Sequence, residues 1–311
     1  MNTRVKADLG LALATMIWGS AFAASKAGLD FSSPLVFVAA RSVVGGLALL
    51  FVFRAVLPRI GRSELKAGGL IGLFLFCGFA CVTTGMNTTT ASKAAFINSF
   101  EAVLPAVLLA VFWRRGGPPL LWLGATAALA GLYLISVPPG GLAGLNRGDL
   151  LVFCGAVLFS FHTIVVGFLT PHHEVGALAL LQVSTAAVLG IAAIPFLAAS
   201  GIERPRLEIA PALLVALAVS GVGSLAIGLT IQTWAQRHTP ASHAALFFSL
   251  IPVFASLASY FFLGERMGGR EAAGAACIFV GVLTASLSRS RATETEAVAA
   301  DAAEYDLRGG V

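Results

Sequence analysis

The feature that most constrains this chain is a succession of apolar runs, each about 20 residues long and separated by short breaks. A helix of that length spans a hydrocarbon core about 30 Å thick. A soluble surface cannot be made from what remains. Of the 311 residues, 58% are hydrophobic and 11% charged, and the mean hydropathy is +0.89. A soluble domain carries roughly 25% charged residues. Porin-like alternation of polar and apolar residues is absent, so helices rather than a barrel are expected.

Ten spans are expected, at about 8–28, 34–56, 67–87, 91–112, 119–137, 149–168, 176–198, 211–235, 241–263 and 270–288. Turn and charge signals mark the breaks, as at Pro58 to Arg62, Arg114 to Pro119, Pro138 to Asn146 and Glu203 to Glu208. After Ser288 the composition turns to Arg, Glu, Asp and Ala, so 289–311 is expected as a disordered cytoplasmic tail. Arg4 and Lys6 before an apolar run, with Ala21-Phe22-Ala23 behind, also fit a signal peptide. An uncleaved first helix is preferred because the run continues the pattern of the later spans. Cys77, Cys81, Cys154 and Cys277 all lie within apolar runs and read as small hydrophobes. His172, His173 and Glu174 share a short loop, but no metal or other cofactor is expected.

The two halves repeat. A shift of 150 places Ala91-Ser92 on Ala241-Ser242, Ser99 on Ser249, Gly124 on Gly274 and Gly131 on Gly281. Nearer the start, a shift of 141 places Asp8 on Asp149, Trp18 on Phe159 and Arg41 on Gln182. The drift of nine reads as one insertion or deletion between helices. The units are 1–140 and 141–288, with five helices each. An odd number of crossings inverts the second unit relative to the first. Inverted repeats are the architecture of secondary transporters. Lys and Arg set the orientation. Arg4, Lys6, Arg54, Arg59, Arg62, Lys66, Arg114 and Arg115 fall on one side, against Lys26, Lys93 and Arg147 on the other. Both termini are therefore expected in the cytoplasm of a bacterial-type inner membrane. The second half is balanced, with Arg204, Arg206, Arg266 and Arg270 outside and Arg237, Arg289, Arg291 and Arg308 inside.

The segments Ala14–Leu29 (ATMIWGSAFAASKAGL), Thr88–Phe100 (TTTASKAAFINSF) and Phe261–Val282 (FFLGERMGGREAAGAACIFVGV) resemble the EamA family of the drug/metabolite transporter superfamily. Trp18-Gly19 and Leu263-Gly264-Glu265-Arg266 are the most specific parts of the likeness. The resemblance covers about residues 8–288 and implies an all-α membrane protein of ten helices in two inverted five-helix repeats. It implies export of amino acids or related metabolites, and is nearest to the aromatic amino acid exporters. Val111-Phe112-Trp113-Arg114 occupies the first-half position of the Leu-Gly-Glu-Arg run, without its glycine and acid.

Ionisable groups at bilayer depth are expensive and mark candidate sites. Glu101 lies mid-helix, four residues before Pro105, whose missing N–H frees the Glu101 carbonyl. The carboxyl is read either as a partner for a substrate ammonium or proton, or as a neutral group bonded to a neighbouring helix. Pro252 frees the carbonyl of Phe248 in the second repeat, where no acid is present. Arg41 is expected first to snorkel or pair structurally, with a substrate carboxylate as the alternative. His162 is either a satisfied neutral donor or a proton carrier. Lys26 and Lys93 read as interfacial anchors, although Lys93 has the option of facing a vestibule; His243 and Arg237 read as anchors at the opposite end. Trp18 and Phe22, with Thr15 and Ser25, form one mixed stripe. Phe159, His162 and Thr163, with Val166, form its counterpart. Polar atoms among rings suit a cavity wall or a helix contact through Ser and Thr. Phe96, Asn98, Ser99, Gln232 and Ser249 extend the candidate cavity. Gly68, Gly72, Gly124, Gly131, Gly274 and Gly281 suit close helix approach. Gly221 to Ala226 matches a dinucleotide fingerprint, but no strand precedes it. There is no P-loop, so ATP drive by this chain is not expected.

These features point to a secondary transporter for hydrophobic or aromatic amino acids and related metabolites, coupled to protons or facilitative, and not to an enzyme. Rivals are a multidrug exporter in which Glu101 pairs organic cations, a membrane enzyme acting on lipid-linked substrates, and a scaffold. The enzyme would need a nucleophile–base pair near the interface, where only scattered acids such as Asp149 and Glu265 occur.

Overall fold

The computed structural model describes residues 3–105, 107–108, 119–136, 146–238, 247–248, 250–281 and 283–284. Ser249, His243, Arg114, Arg115, the Val111–Arg114 run and the 289–311 tail lie outside the described residues. The chain builds α1 (Thr3–Gly28), α2 (Pro34–Phe53), α3 (Arg62–Gly85), α4 (Ala91–Asn98), α5 (Pro119–Ser136), α6 (Arg147–Leu169) and α7 (Val175–Ala199). These are followed by α8 (Pro211–Ala235), α9 (Ile251–Leu263) and a helix over 269–281, termed α10. Six of these segments are long and apolar enough to cross a membrane; α5 and α9 supply shorter apolar helices.

The bundle inverts the distribution of a soluble fold. Phe51, Phe168, Phe196, Phe261 and Phe262 point outward, whereas Arg41, Asn98, Asp149, His162, Gln182 and Gln232 are buried. That arrangement suits a lipid solvent, which rewards rings and penalises charge. Several inward hydroxyls are satisfied on their own helix, as where Ser160 donates to Ala156 O and Thr233 to Leu229 O.

Prolines set two departures from the expected spans. The helix from Ala91 stays α-helical only to Asn98, tightens to a 3₁₀ turn over Ser99–Ala102 and turns at Val103, two residues before Pro105. Pro252 sits in the first turn of α9, behind a turn in which Leu250 N donates to Phe247 O. There a missing N–H costs nothing, so Pro252 fits the start of α9.

Contacts between the halves recur in pairs. α3 packs on α6 as α8 packs on α1, and α3 on α7 as α8 on α2. Close approaches follow the same rule. A Cβ at Gly78 would lie 2.8 Å from the Phe159 ring, and one at Gly228 would lie 2.5 Å from the Trp18 indole nitrogen. Gly131 approaches Gly274 O and Ile278, while Gly281 approaches Gly124 O and Ala128. Gly72 meets Gln182 O and Thr185, while Gly221 meets Arg41 O and Val44.

These pairs divide the drift between the halves. Arg41/Gln182 and Val44/Thr185 keep the offset of 141, Gly72/Gly221 stand 149 apart, and Gly78/Gly228 stand 150 apart. Eight residues therefore enter between α7 and α8, where the connection 200–210 tolerates them. The ninth enters inside α8, where Ala218–Gly228 relaxes to π-helical i→i+5 bonding. A π turn is how a helix absorbs one extra residue.

Candidate functional site

α1, α2, α3, α4, α6, α8 and α9 together surround a cavity with about 700 Å³ of empty space, its open mouth included. Nine of the residues singled out from the sequence lie on its wall: Trp18, Phe22, Ser25, Arg41, Asn98, Glu101, Phe159, His162 and Gln232. Thr163 stands behind Glu101 and donates to its Oε1 at 3.1 Å. Asn98 Nδ2 donates to Oε2 of the same carboxylate at 3.3 Å. The 3₁₀ turn brings Asn98 and Glu101 onto one face, three residues apart. His162 Nε2 donates to Gln182 Oε1 at 2.9 Å, so both buried groups are satisfied by each other.

The opposite wall is apolar and aromatic. Trp18 meets Phe248 edge to face at 5.5 Å and donates to Ser224 O at 3.2 Å, within the π-helical stretch. Ala21, Phe22 and Ile251 continue this wall. The two walls occupy corresponding positions of the halves. Asn98 corresponds to Phe248 and Glu101 to Ile251 at an offset of 150; Ala21 corresponds to His162 and Phe22 to Thr163 at 141. Thus Asn98, Glu101 and His162 make the polar side, and their counterparts Phe248, Ile251 and Ala21 make the apolar one.

Arg41 does not snorkel. It is 3% exposed, and its guanidinium carbon lies 4.1 Å from the Phe79 ring centroid, on the cavity wall. α2 turns this face toward α3, so the side chain is covered before it can reach an interface. Arg41 Nε and Asn98 Oδ1 are buried without a hydrogen-bond partner among the described residues. No described carboxylate lies within ion-pair distance of Arg41.

Phe96 and Ser99 are not brought to the cavity. Two residues along a helix is a rotation of about 200°, which sends Phe96 away from Asn98 and into a packing cluster with Leu11 and Ile278. Ser99 Oγ donates back to Phe96 O at 2.6 Å. Lys26 and Lys93 are both engaged within the protein. Lys26 Nζ donates to Thr89 O at 3.0 Å and to Met86 O, and Lys93 Nζ lies 2.7 Å from the buried Asp149 carboxylate. Sequence reasoning missed the α3 stripe Leu75, Phe79, Val82, Thr83 and Met86. Its helical spacing was visible, but an apolar stripe facing a cavity has the same pattern as one facing another helix.

The sequence profile of the EamA-like transporter family matches this chain twice, at 5–137 and 146–287. The chain belongs to that family. An uncharacterized transporter of Archaeoglobus fulgidus is 30% identical over 284 residues, 91% of this chain and 87% of that protein. The uncharacterized inner membrane transporter YedA of Escherichia coli K12 is 27% identical over 278 residues, 86% of this chain and 85% of that one. A probable terminal-alkyne amino-acid exporter of Streptantibioticus cattleyicolor is 32% identical over 137 residues, 44% of this chain and 43% of that protein. A solved crystal structure aligns at TM-score 0.63 and 21% identity, over 93% of this chain and 99% of that one, which establishes a shared fold. An EamA family member with such relatives is a multi-pass membrane transporter for small molecules, and not an enzyme.

Proposed function

We propose that this protein exports hydrophobic and aromatic amino acids, and related small metabolites, across an inner membrane by alternating access. The observation that carries the reading is the division of one cavity into a charged polar wall and an aromatic wall. Glu101 supplies a carboxylate for a substrate ammonium. Arg41, a buried cation with no described anion beside it, supplies the partner for a substrate carboxylate. Trp18, Phe22, Phe159 and Phe248 receive the side chain. Asn98 offers its unpaired Oδ1, and Gln232 a further amide. The amino-acid exporter among the relatives supports the same substrate class.

The moving parts are the inverted halves 1–140 and 141–288, ten helices in all, with both termini cytoplasmic. The paired contacts between the halves support a two-fold relation, and five crossings per half make it an inverted one. The excess of Lys and Arg at the Lys66 end supports the orientation. Arg41 argues against a carrier of bare organic cations, because a buried guanidinium repels them.

Purified protein in liposomes, with and without a pH gradient, tests this. Labelled phenylalanine is expected to move. Phenethylamine, which lacks the carboxylate, and phenylpropionate, which lacks the ammonium, are each expected to compete at least about tenfold less well, the loss of one charged contact. Efficient transport of a quaternary amine, with none of phenylalanine, would reject the reading.

A further inference from the structure

The cavity end near Lys26 is bound by polar contacts that cross between the halves, and they gather on the first turn of α4. Glu265 accepts from Ala91 N at 2.9 Å, from Ser92 N at 3.0 Å and from Ser92 Oγ at 2.8 Å. It reaches them because Gly264 ends α9 in the left-handed region, at φ 66°, and turns the next residue toward α4. The glutamate thus caps a helix of the other half, where N–H groups are free and the helix dipole favours an anion. One turn away, Asp149 of α6 receives Lys93 at 2.7 Å on Oδ2 and the Thr89 hydroxyl at 2.7 Å on Oδ1. Asn146, just before α6, is hydrogen-bonded to Thr88. Lys26 closes the group from α1, holding the carbonyl of Met86, itself a wall residue.

A second seam between the halves lies at the same end. There Ser32 pairs with Leu207, Glu208 N donates to Phe31 O at 2.8 Å, and Glu203 caps Leu35 N at 3.0 Å. That seam is largely backbone and away from the cavity wall. The α4 seam is made by side chains and adjoins the wall through Met86 and Ser25. At the opposite end, the crossing ion pairs among the described residues are Glu64–His173 and the 3.8 Å Arg59–Glu174 contact, in which Arg59 is 73% exposed.

We propose that Asp149 and Glu265 form the outer gate: two carboxylates of the second half hold the first turn of α4 and so keep the cavity shut from outside. Export opens the gate by releasing α4, while the 203–208 seam stays joined as a pivot. This rests on the orientation and alternating access proposed above. Because α4 and the 3₁₀ turn that continues it carry Asn98 and Glu101, releasing its first turn loosens the polar wall at the moment the outer path opens.

The test places Thr83→Cys on the wall of a protein freed of Cys77, Cys81, Cys154 and Cys277. A membrane-impermeant maleimide is applied from outside in intact cells and from inside in inverted vesicles. Asp149→Asn, Lys93→Met and Glu265→Gln are each expected to raise outside labelling about fivefold or more and to lower inside labelling. The swapped pair Lys93→Asp with Asp149→Lys is expected to return both rates toward the parent. Unchanged outside labelling, or a rise on both sides as general loosening would give, overturns the gate. A rise from inside alone overturns the outer placement. Labelling uses no substrate, so an error about the amino-acid cargo leaves the gate result standing.

Discussion

At Glu101 both carboxylate oxygens are already engaged, one by Asn98 and one by Thr163, yet the side chain still faces the cavity. Removing its charge therefore need not remove its hydrogen bonds. In Glu101→Gln, the new carbonyl can accept from Thr163, while the new amide can donate to the Asn98 oxygen once the Asn98 amide turns over to present it. We expect this variant to fold, with an unfolding temperature within a few degrees of the parent, and to lose at least about tenfold in amino-acid transport. Transport at the parent rate would remove Glu101 from the binding role. The sequence made Glu101 legible because an acid in an apolar run is expensive. It did not make legible what Glu101 faces. The counterpart of that acid is Ile251, and no local pattern marks an isoleucine as the far wall of a polar site.

Among the elements, α4 and α8 departed furthest from expectation, and each for a local reason. Pro105 was visible in the sequence, but its effect reaches back as a 3₁₀ turn from Ser99, and that turn decides which of Phe96, Asn98, Ser99 and Glu101 face the cavity. The π-helical stretch of α8 was invisible, because one inserted residue leaves an Ala/Gly/Val/Ser-rich run equally apolar. The same helix supports a packing prediction. Gly228→Ala would place a Cβ 2.5 Å from the Trp18 indole, whereas Gly69→Ala would meet nothing within 4 Å. The first is expected to cost about 1–3 kcal/mol and to lower the unfolding temperature. The second is expected to be neutral or slightly stabilising. Equal effects in a detergent melting assay would mean that the Gly228–Trp18 contact does not bear on stability.

For the molecule as a whole, hydropathy carried the fold class, and internal offsets carried the correspondence of the halves. Those signals survive because they are spread over many residues. The polar seam on α4 was not legible: Lys26, Lys93, Asp149 and Glu265 are far apart in sequence, and each alone reads as an interfacial charge. Orientation belongs to this scale too. A phosphatase fused after Val311 is expected to stay inactive and a fluorescent protein at the same place to be bright, as for a cytoplasmic C-terminus. Phosphatase activity there would turn the molecule over and put the Lys26 end in the cytoplasm.

The pairing of Glu101 with Ile251, and of Arg41 with Gln182, bears on what this chain cannot be reduced to. Two copies of its first half, assembled about the same axis, would crowd two glutamates and two arginines into one chamber and lose Phe248 and Ile251 from its apolar side. Two copies of the second half would offer isoleucine and glutamine twice and no charge at those four positions. On the proposed reading, fusion of unlike halves in a single gene is what would let one ligand find salt-like contacts on its head and grease on its tail.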